Sequence, residues 1–219
     1  NGVTGTTTSS VPGKGLLFRY PFTGTNAETW PLSYTPPAQP TSTKTVLAGG
    51  SLVSTDSDSI FAFRGNNTNE FWRFDISANS WNHSLTAPPA GTGGTNTVGP
   101  GGSLTTDGAG NIYATRGSPS TTQTKDFWKY NITNATDGTG TWSSLTSAPV
   151  AVGTTATTNR GGIAYYNGNV WMVPGYGQNT FTESTGLEAG LLYPYEVARN
   201  PWPTLSEVTD VSEGATNAV

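Results

Sequence analysis

The feature that most narrows what this chain can fold into is a repeat. The segment NEFWRFDISANSW, Asn69 to Trp81, returns as KDFWKYNITNATDGTGTW, Lys125 to Trp142. A unit that returns in register marks a structural module rather than a single site. Glycine pairs open the units at Gly49-Gly50, Gly101-Gly102 and Gly161-Gly162, at intervals of 52 and 60 residues. Tryptophans close them at Trp30, Trp81, Trp142 and Trp202, at intervals of 51, 61 and 60 residues.

Between these markers the units align strand by strand. After each glycine pair comes a short run: SLVSTD, SLTTDG or IAYYNG. A tight turn (DSDS, DGAGN, NGN) leads to a second strand, IFAFRG, IYATRG or VWMVPG, each with an aromatic in its second place. Gly, Asn and Asp tolerate positive φ, so these turns read as hairpins. The third strand is FWRF or FWKY, with looser copies LLFRY at Leu16–Tyr20 and LLYPY at Leu191–Tyr195. The fourth carries the closing Trp, followed by Leu and Pro. No window has the period of an amphipathic helix.

Four hairpin-connected strands in units of roughly 40–55 residues predict an all-β protein, a β-propeller with four-stranded antiparallel blades. A blade lies between two neighbours, so both faces of its sheet are covered and strict apolar–polar alternation is lost. In FWRF, Trp72 and Phe74 point one way and Phe71 the other, while Arg73 lays its stem on apolar surface and carries its head to an acid or a carbonyl.

The order of glycine pair, aromatic strand, Trp-x-Tyr/Phe strand and Asn…Trp…Leu…Pro resembles the kelch family of β-propellers over residues 14–205. Kelch units usually end the second strand in two glycines, where this chain has Arg64-Gly65 and Arg116-Gly117. The third full unit diverges most and carries Pro194 inside a strand, a place that suits proline only at an edge or bulge. The division expected is an extended segment at 1–13, a half blade at 14–48, blades at 49–100, 101–160 and 161–205, and a polar tail at 206–219. Closed propellers need at least four blades. The expectation is therefore a propeller that is incomplete or completed by another chain: part of a longer chain, one of two pairing copies, or an open stack. An uncovered blade face or unpaired edge invites association, and the end segments are long enough to add a strand to a neighbour.

Composition removes several functions. Of 219 residues only 11% are charged and the net charge is −4. A basic face for nucleic acid is thus not expected, and no apolar run reaches membrane-spanning length, so no membrane insertion is expected. There is no Cys, and a domain of this size needs none to bury a core. The Thr-rich, Lys-poor character and four Asn-X-Ser/Thr sequons, at Asn66, Asn82, Asn131 and Asn134, fit an extracellular or cell-surface glycoprotein.

Groups for chemistry are few. One histidine, His83, and no Cys cannot build the copper site of galactose-oxidase-like kelch enzymes, or a zinc site. The sialidase signature Ser-x-Asp-x-Gly-x-x-Trp is absent. Asp75 and Asp126 flank third strands and are expected to cap turns or pair with Arg73, Arg64 or Arg116. The recurrence of Arg64 and Arg116 allows a basic ring at the propeller axis, but structural ion pairing is the stronger reading. Asp56 and Asp58 in one hairpin, and Asp107 and Asn111 in the next, offer weak calcium ligands, too few for a dedicated loop site. All seven tryptophans fall on repeat positions, which leaves Tyr34 and Tyr176 as the candidates for contact with glycans.

The expectation is a non-enzymatic, extracellular structural or adhesive propeller protein without cofactor, which binds partners or assembles with itself into a ring, fibre or layer. The alternatives are a glycan-binding, lectin-like propeller and a fragment of a larger propeller enzyme.

Overall fold

The computed structural model describes residues 46–119, 124–148, 161–173 and 193–198. The chain divides into two units, Asn1–Val46 and Leu47–Val219, and the described fold is that of the second. It is all-β. The first sheet contains β1 (Ser51–Ser54), β2 (Ser59–Phe63), β3 (Phe71–Asp75) and β4 (Ser80–Asn82) in that spatial order. The second contains β5 (Ser103–Thr106), β6 (Asn111–Thr115), β7 (Phe127–Ile132) and β8 (Gly140–Ser144), again in chain order. The third contains β9 (Gly162–Tyr166), β10 (Asn169–Val173) and β11 (Tyr193–Glu196), with β10 in the middle. All neighbouring strands are antiparallel. Pro194 pairs with Trp171 on β11, which lies at one end of the third sheet among the described residues.

The glycine pairs make the turns that enter each sheet. Gly50 N donates to Leu47 O and Gly102 N to Gly99 O, both at 2.8 Å. Gly49 and Gly101, third residues of their turns, both have φ of 87°. This is type II turn geometry, which needs positive φ at the third place and favours Pro at the second, where Pro100 stands. The Arg-Gly end of the second strand locks onto the same turn: Asn66 N donates to Ala48 O at 3.0 Å and Ser118 N to Pro100 O at 2.7 Å. The hairpins use two devices. Asn167 and Gly168 take positive φ, 47° and 79°. In the DSDS turn Asp56 instead accepts the Asp58 N–H, at 2.7 Å.

Side-chain alternation gives each sheet two apolar faces. One face of the first sheet carries Phe61, Phe63 and Phe71, and the opposite face of the second carries Leu104, Ile112, Ala114, Trp128 and Tyr130. These residues form one buried cluster between the two sheets, with Trp142 packed against it. The other face of the second sheet, with Tyr113 and Phe127, meets Val170, Met172 and Tyr195 of the third. The order is therefore sheet, aromatic layer, sheet, aromatic layer, sheet. Phe71 and Tyr130 meet edge to face with ring centroids 4.9 Å apart, and Tyr113 stacks on Tyr165 at 6.4 Å.

The first strands of the three sheets lie side by side, β5 between β1 and β9. Each is the edge of its own sheet, so part of its backbone lacks a strand partner. Hydroxyls of the preceding sheet supply acceptors. Leu104 N donates to Ser51 Oγ at 3.0 Å, Ile163 N to Ser103 Oγ at 3.4 Å, and Tyr165 N to Thr105 Oγ1 at 2.8 Å. This satisfies backbone donors that would be costly to leave unpaired. The result is the all-β, propeller-like arrangement that the repeat predicts, with two antiparallel sheets of four strands and one of three among the described residues. Trp30, Trp202, the segment 1–13 and the tail 206–219 lie outside the described residues.

Candidate functional site

The recurring arginines are enclosed rather than displayed. Arg116 is fully buried. Its Nε donates to Thr97 O at 2.9 Å and its Nη1 to both Thr92 O and Asp126 Oδ2 at 2.7 Å, while Nη2 reaches Thr95 Oγ1. Asp126 also accepts the Thr92 N–H and hydroxyl, each at 2.9 Å. One ion pair thus pins the connection between the first two sheets. Arg64, in the same repeat position, pairs with Glu70 and lies 5.6 Å from the centroid of the Trp72 ring. Its Nε and Nη2 meet no acceptor among the described residues. Arg73 pairs with Asp75 at 3.0 Å and donates to Ser59 Oγ at 3.0 Å. The pairings expected of Arg73 with Asp75 and Arg116 with Asp126 are present, and neither Arg64 nor Arg116 offers its charge to solvent.

The weak calcium candidates are engaged in turns. Asp56 Oδ1 holds Asp58 N, and Asp58 accepts from Ser77 N at 2.7 Å and from the Ser77 hydroxyl at 2.9 Å. Asp107 accepts from Ala109 N, Asn111 N and Asn111 Nδ2 at 2.7–3.1 Å. Among the described residues no cluster of three or more His, Asp or Glu could hold a metal ion. Two other acids have depressed pKa values: Asp75 through the Ala78 N–H and Ser77 hydroxyl, and Asp137 through the Thr139 N–H and hydroxyl.

His83 is part of an aromatic group. It meets Trp72 edge to face at 5.4 Å and stacks on Trp81 at 6.4 Å. Partial burial pushes its pKa down, with the Glu70 charge opposing.

The sequons differ in geometry. Asn66 sits at φ 54° on the turn after β2, and Asn131 Nδ2 donates to Asn111 Oδ1 at 3.0 Å. Asn82 Nδ2 donates to Asp137 O at 2.9 Å, a bond between the first two sheets that a sugar would displace. Asn134 is exposed on the β7–β8 turn and uses Oδ1 to hold Thr136 N at 2.9 Å, a bond that modification of its nitrogen leaves intact. The glycan-contact candidates Tyr34 and Tyr176 lie outside the described residues.

Among the described residues, exposed apolar side chains that sequence reasoning did not single out lie on the first and third sheets. The far face of the third sheet carries Ala164, Tyr166, Trp171 and Val173, together with Asn169 and the exposed Glu196. Tyr166 is 72% exposed and Val173 45%. The residues matching Trp171 in the other sheets, Phe61 and Tyr113, are each 1% exposed. On the first sheet, Leu52 is 54% exposed whereas its counterpart Leu104 is 5% exposed, although Ala62, Trp72 and Phe74 on the Leu52 face are buried. The sequence did carry a signal. On its covered face the third unit keeps the pattern, with Val170, Met172 and Tyr195. On its open face Gly162 and Ala164 replace the hydroxyl positions Ser103 and Thr105.

The described residues define an all-β protein of propeller-like antiparallel sheets. No protein-family model matches the chain, and no curated protein is significantly similar to it in sequence.

Proposed function

We propose that this chain is a kelch-like propeller protein with a structural or adhesive, non-enzymatic role outside the cell, acting by association with further copies of itself. The observation that carries this reading is the unequal coverage among the described residues: Tyr166 and Val173 are 72% and 45% exposed on a sheet whose opposite face buries Val170, Met172 and Tyr195. Contiguous apolar surface of this kind marks interaction sites. Asp56, Asp58, Asp107, Asp126 and Arg116 are engaged in turns and in the connection between the first two sheets. Sedimentation velocity over a concentration series tests the proposal. Growth of higher-order species with concentration supports it, and a single monomeric species throughout overturns it.

A second reading, glycan binding, is favoured by the exposure of Tyr166 beside Asn167 and Asn169 on the β9–β10 hairpin, an aromatic ring flanked by amides. Reproducible hits on a glycan array that vanish in Tyr166→Ala support this reading.

A further inference from the structure

We infer that Asn134 is an acceptor for an N-linked sugar, and that of the four sequons it is the one the folded chain presents for modification. The inference goes beyond self-association and uses no surface assigned to it. All four asparagines belong to the described residues and can be compared atom by atom. A sequon usable in the folded state needs a side-chain nitrogen that is not already donating within the protein. It also needs an accessible hydroxyl two residues on, the element that defines the sequon. Asn66 fails on the hydroxyl: Thr68 is 8% exposed, and its Oγ1 donates to Gly65 O at 2.7 Å. Asn82 fails on the nitrogen, which donates to Asp137 O at 2.9 Å. Asn131 fails on both. Its Nδ2 donates to Asn111 Oδ1 at 3.0 Å, and Asn111 Nδ2 in turn donates to Asp107 Oδ2 at 2.7 Å. The hydroxyl of its sequon, on Thr133, donates to Thr139 O at 3.2 Å.

Asn134 meets both conditions. Asn134 and Thr136 are exposed, and among the described residues neither Asn134 Nδ2 nor the Thr136 hydroxyl has a hydrogen-bond partner. The asparagine is nevertheless held in place. Its Oδ1 accepts the Thr136 N–H at 2.9 Å, so Asn134-Ala135-Thr136 folds into an Asx turn. The rest of the β7–β8 turn is fixed without the side-chain nitrogen. Asn134 N donates to Thr139 O at 3.1 Å, Gly138 N to Asn134 O at 2.9 Å, and the Tyr130 hydroxyl to Gly138 O at 2.9 Å. A sugar on Nδ2 therefore costs the folded chain no hydrogen bond. The co-reactant is a sugar activated as a diphosphate ester, handled by a separate transferase. A bond forms between Nδ2 and the anomeric carbon, and the bond from that carbon to the diphosphate oxygen breaks. The diphosphate leaves with the electron pair, and the amide gives up one proton to solvent.

The experiment treats the purified, folded full chain with a sequon-directed N-glycosyltransferase and a nucleoside-diphosphate sugar. Each asparagine is then read by peptide mass spectrometry. Asn134 is expected to be modified about tenfold or more faster than Asn66, Asn82 and Asn131, which react only through local opening of the fold. Peptides cut from the chain, each carrying one sequon, are expected to lose that difference, because the fold and not the local sequence imposes it. Thr136→Ala is expected to abolish modification at Asn134 and Thr136→Ser to retain it. The modified chain is expected to keep the thermal midpoint of the unmodified one. A folded chain that leaves Asn134 bare while its peptide reacts overturns the inference, as does a peptide that does not react at all. Asn82 or Asn131 reacting as fast as Asn134 in the folded chain overturns it too, and so does a clear drop in thermal midpoint on modification.

Discussion

The indole of Trp142, on the outer strand of the second sheet, donates a 2.8 Å hydrogen bond to the backbone carbonyl of Thr86, which follows the outer strand of the first. The same ring stacks on Phe63 at 6.0 Å and meets Phe71 edge to face at 4.9 Å. This closing tryptophan packs on Trp128 and Tyr130 of its own sheet and also fastens that sheet to the one before.

Trp142→Phe is expected to retain most of the ring packing and lose the bond to Thr86, lowering stability by about 2 kcal/mol. Trp142→Ala, which also empties space against Phe63 and Phe71, is expected to cost roughly 4 kcal/mol. Chemical denaturation of the two variants checks both the sign and the order.

Gly117 and Gly108 separate two reasons for a glycine. Both have positive φ, 74° and 69°. A Cβ on Gly117 would lie 2.3 Å from Pro100 O, while one on Gly108 would meet nothing within 4 Å. Gly108→Ala is expected to cost about 1 kcal/mol from backbone strain alone. Gly117→Ala adds the collision with the entry turn and is expected to cost roughly 3 kcal/mol or to prevent folding. Equal losses would show that the docking of the Arg-Gly pair on the glycine turn does not matter.

Arg116→Lys is expected to destabilise the chain by roughly 3 kcal/mol, although charge is kept. A lysine cannot direct separate donors at Thr97 O, Thr92 O and Asp126 Oδ2. The loss is expected in the thermal midpoint, together with faster proteolysis of the connection around Thr92–Thr97.

The pH dependence follows from His83. Its folded pKa is held below the ordinary 6.5, mainly by burial. The unfolded chain therefore binds more protons between the folded value and 6.5, and stability falls as pH drops through that interval. Asp75 and Asp137, both held below 3.8, add a separate loss under more acid conditions, as pH falls from near 3.8 toward their folded values. Thermal midpoints of the wild type are expected to be level above neutrality and to decline in these two stages. His83→Gln is expected to abolish the first stage and keep the second.

Much of this was legible in the sequence because the repeat carries its own alignment. The strand order, the entry turns at the glycine pairs, the facing of Phe71 against Trp72 and Phe74, and the ion pairs of Arg73 and Arg116 all follow from residue type at fixed spacing. Coverage was not legible in the same way. Leu52 and Leu104 are identical in type and repeat position, yet Leu52 is 54% exposed and Leu104 5%. Tyr166 and Val173 read as ordinary strand residues until the arrangement leaves their face open. Arg64 makes the structural ion pair expected of it, with Glu70, which takes the role that Asp126 has for Arg116 but was not among the acids singled out in the sequence.

The central claim is that recurring aromatics belong to layers between stacked sheets. A double-mutant cycle on Phe71→Leu and Tyr130→Leu tests it most directly, since these rings meet at 4.9 Å from different sheets. Stacked sheets predict that the double variant loses less than the two single losses combined, with a coupling of about 1 kcal/mol. Losses that simply add, with both single variants clearly destabilised, would contradict it.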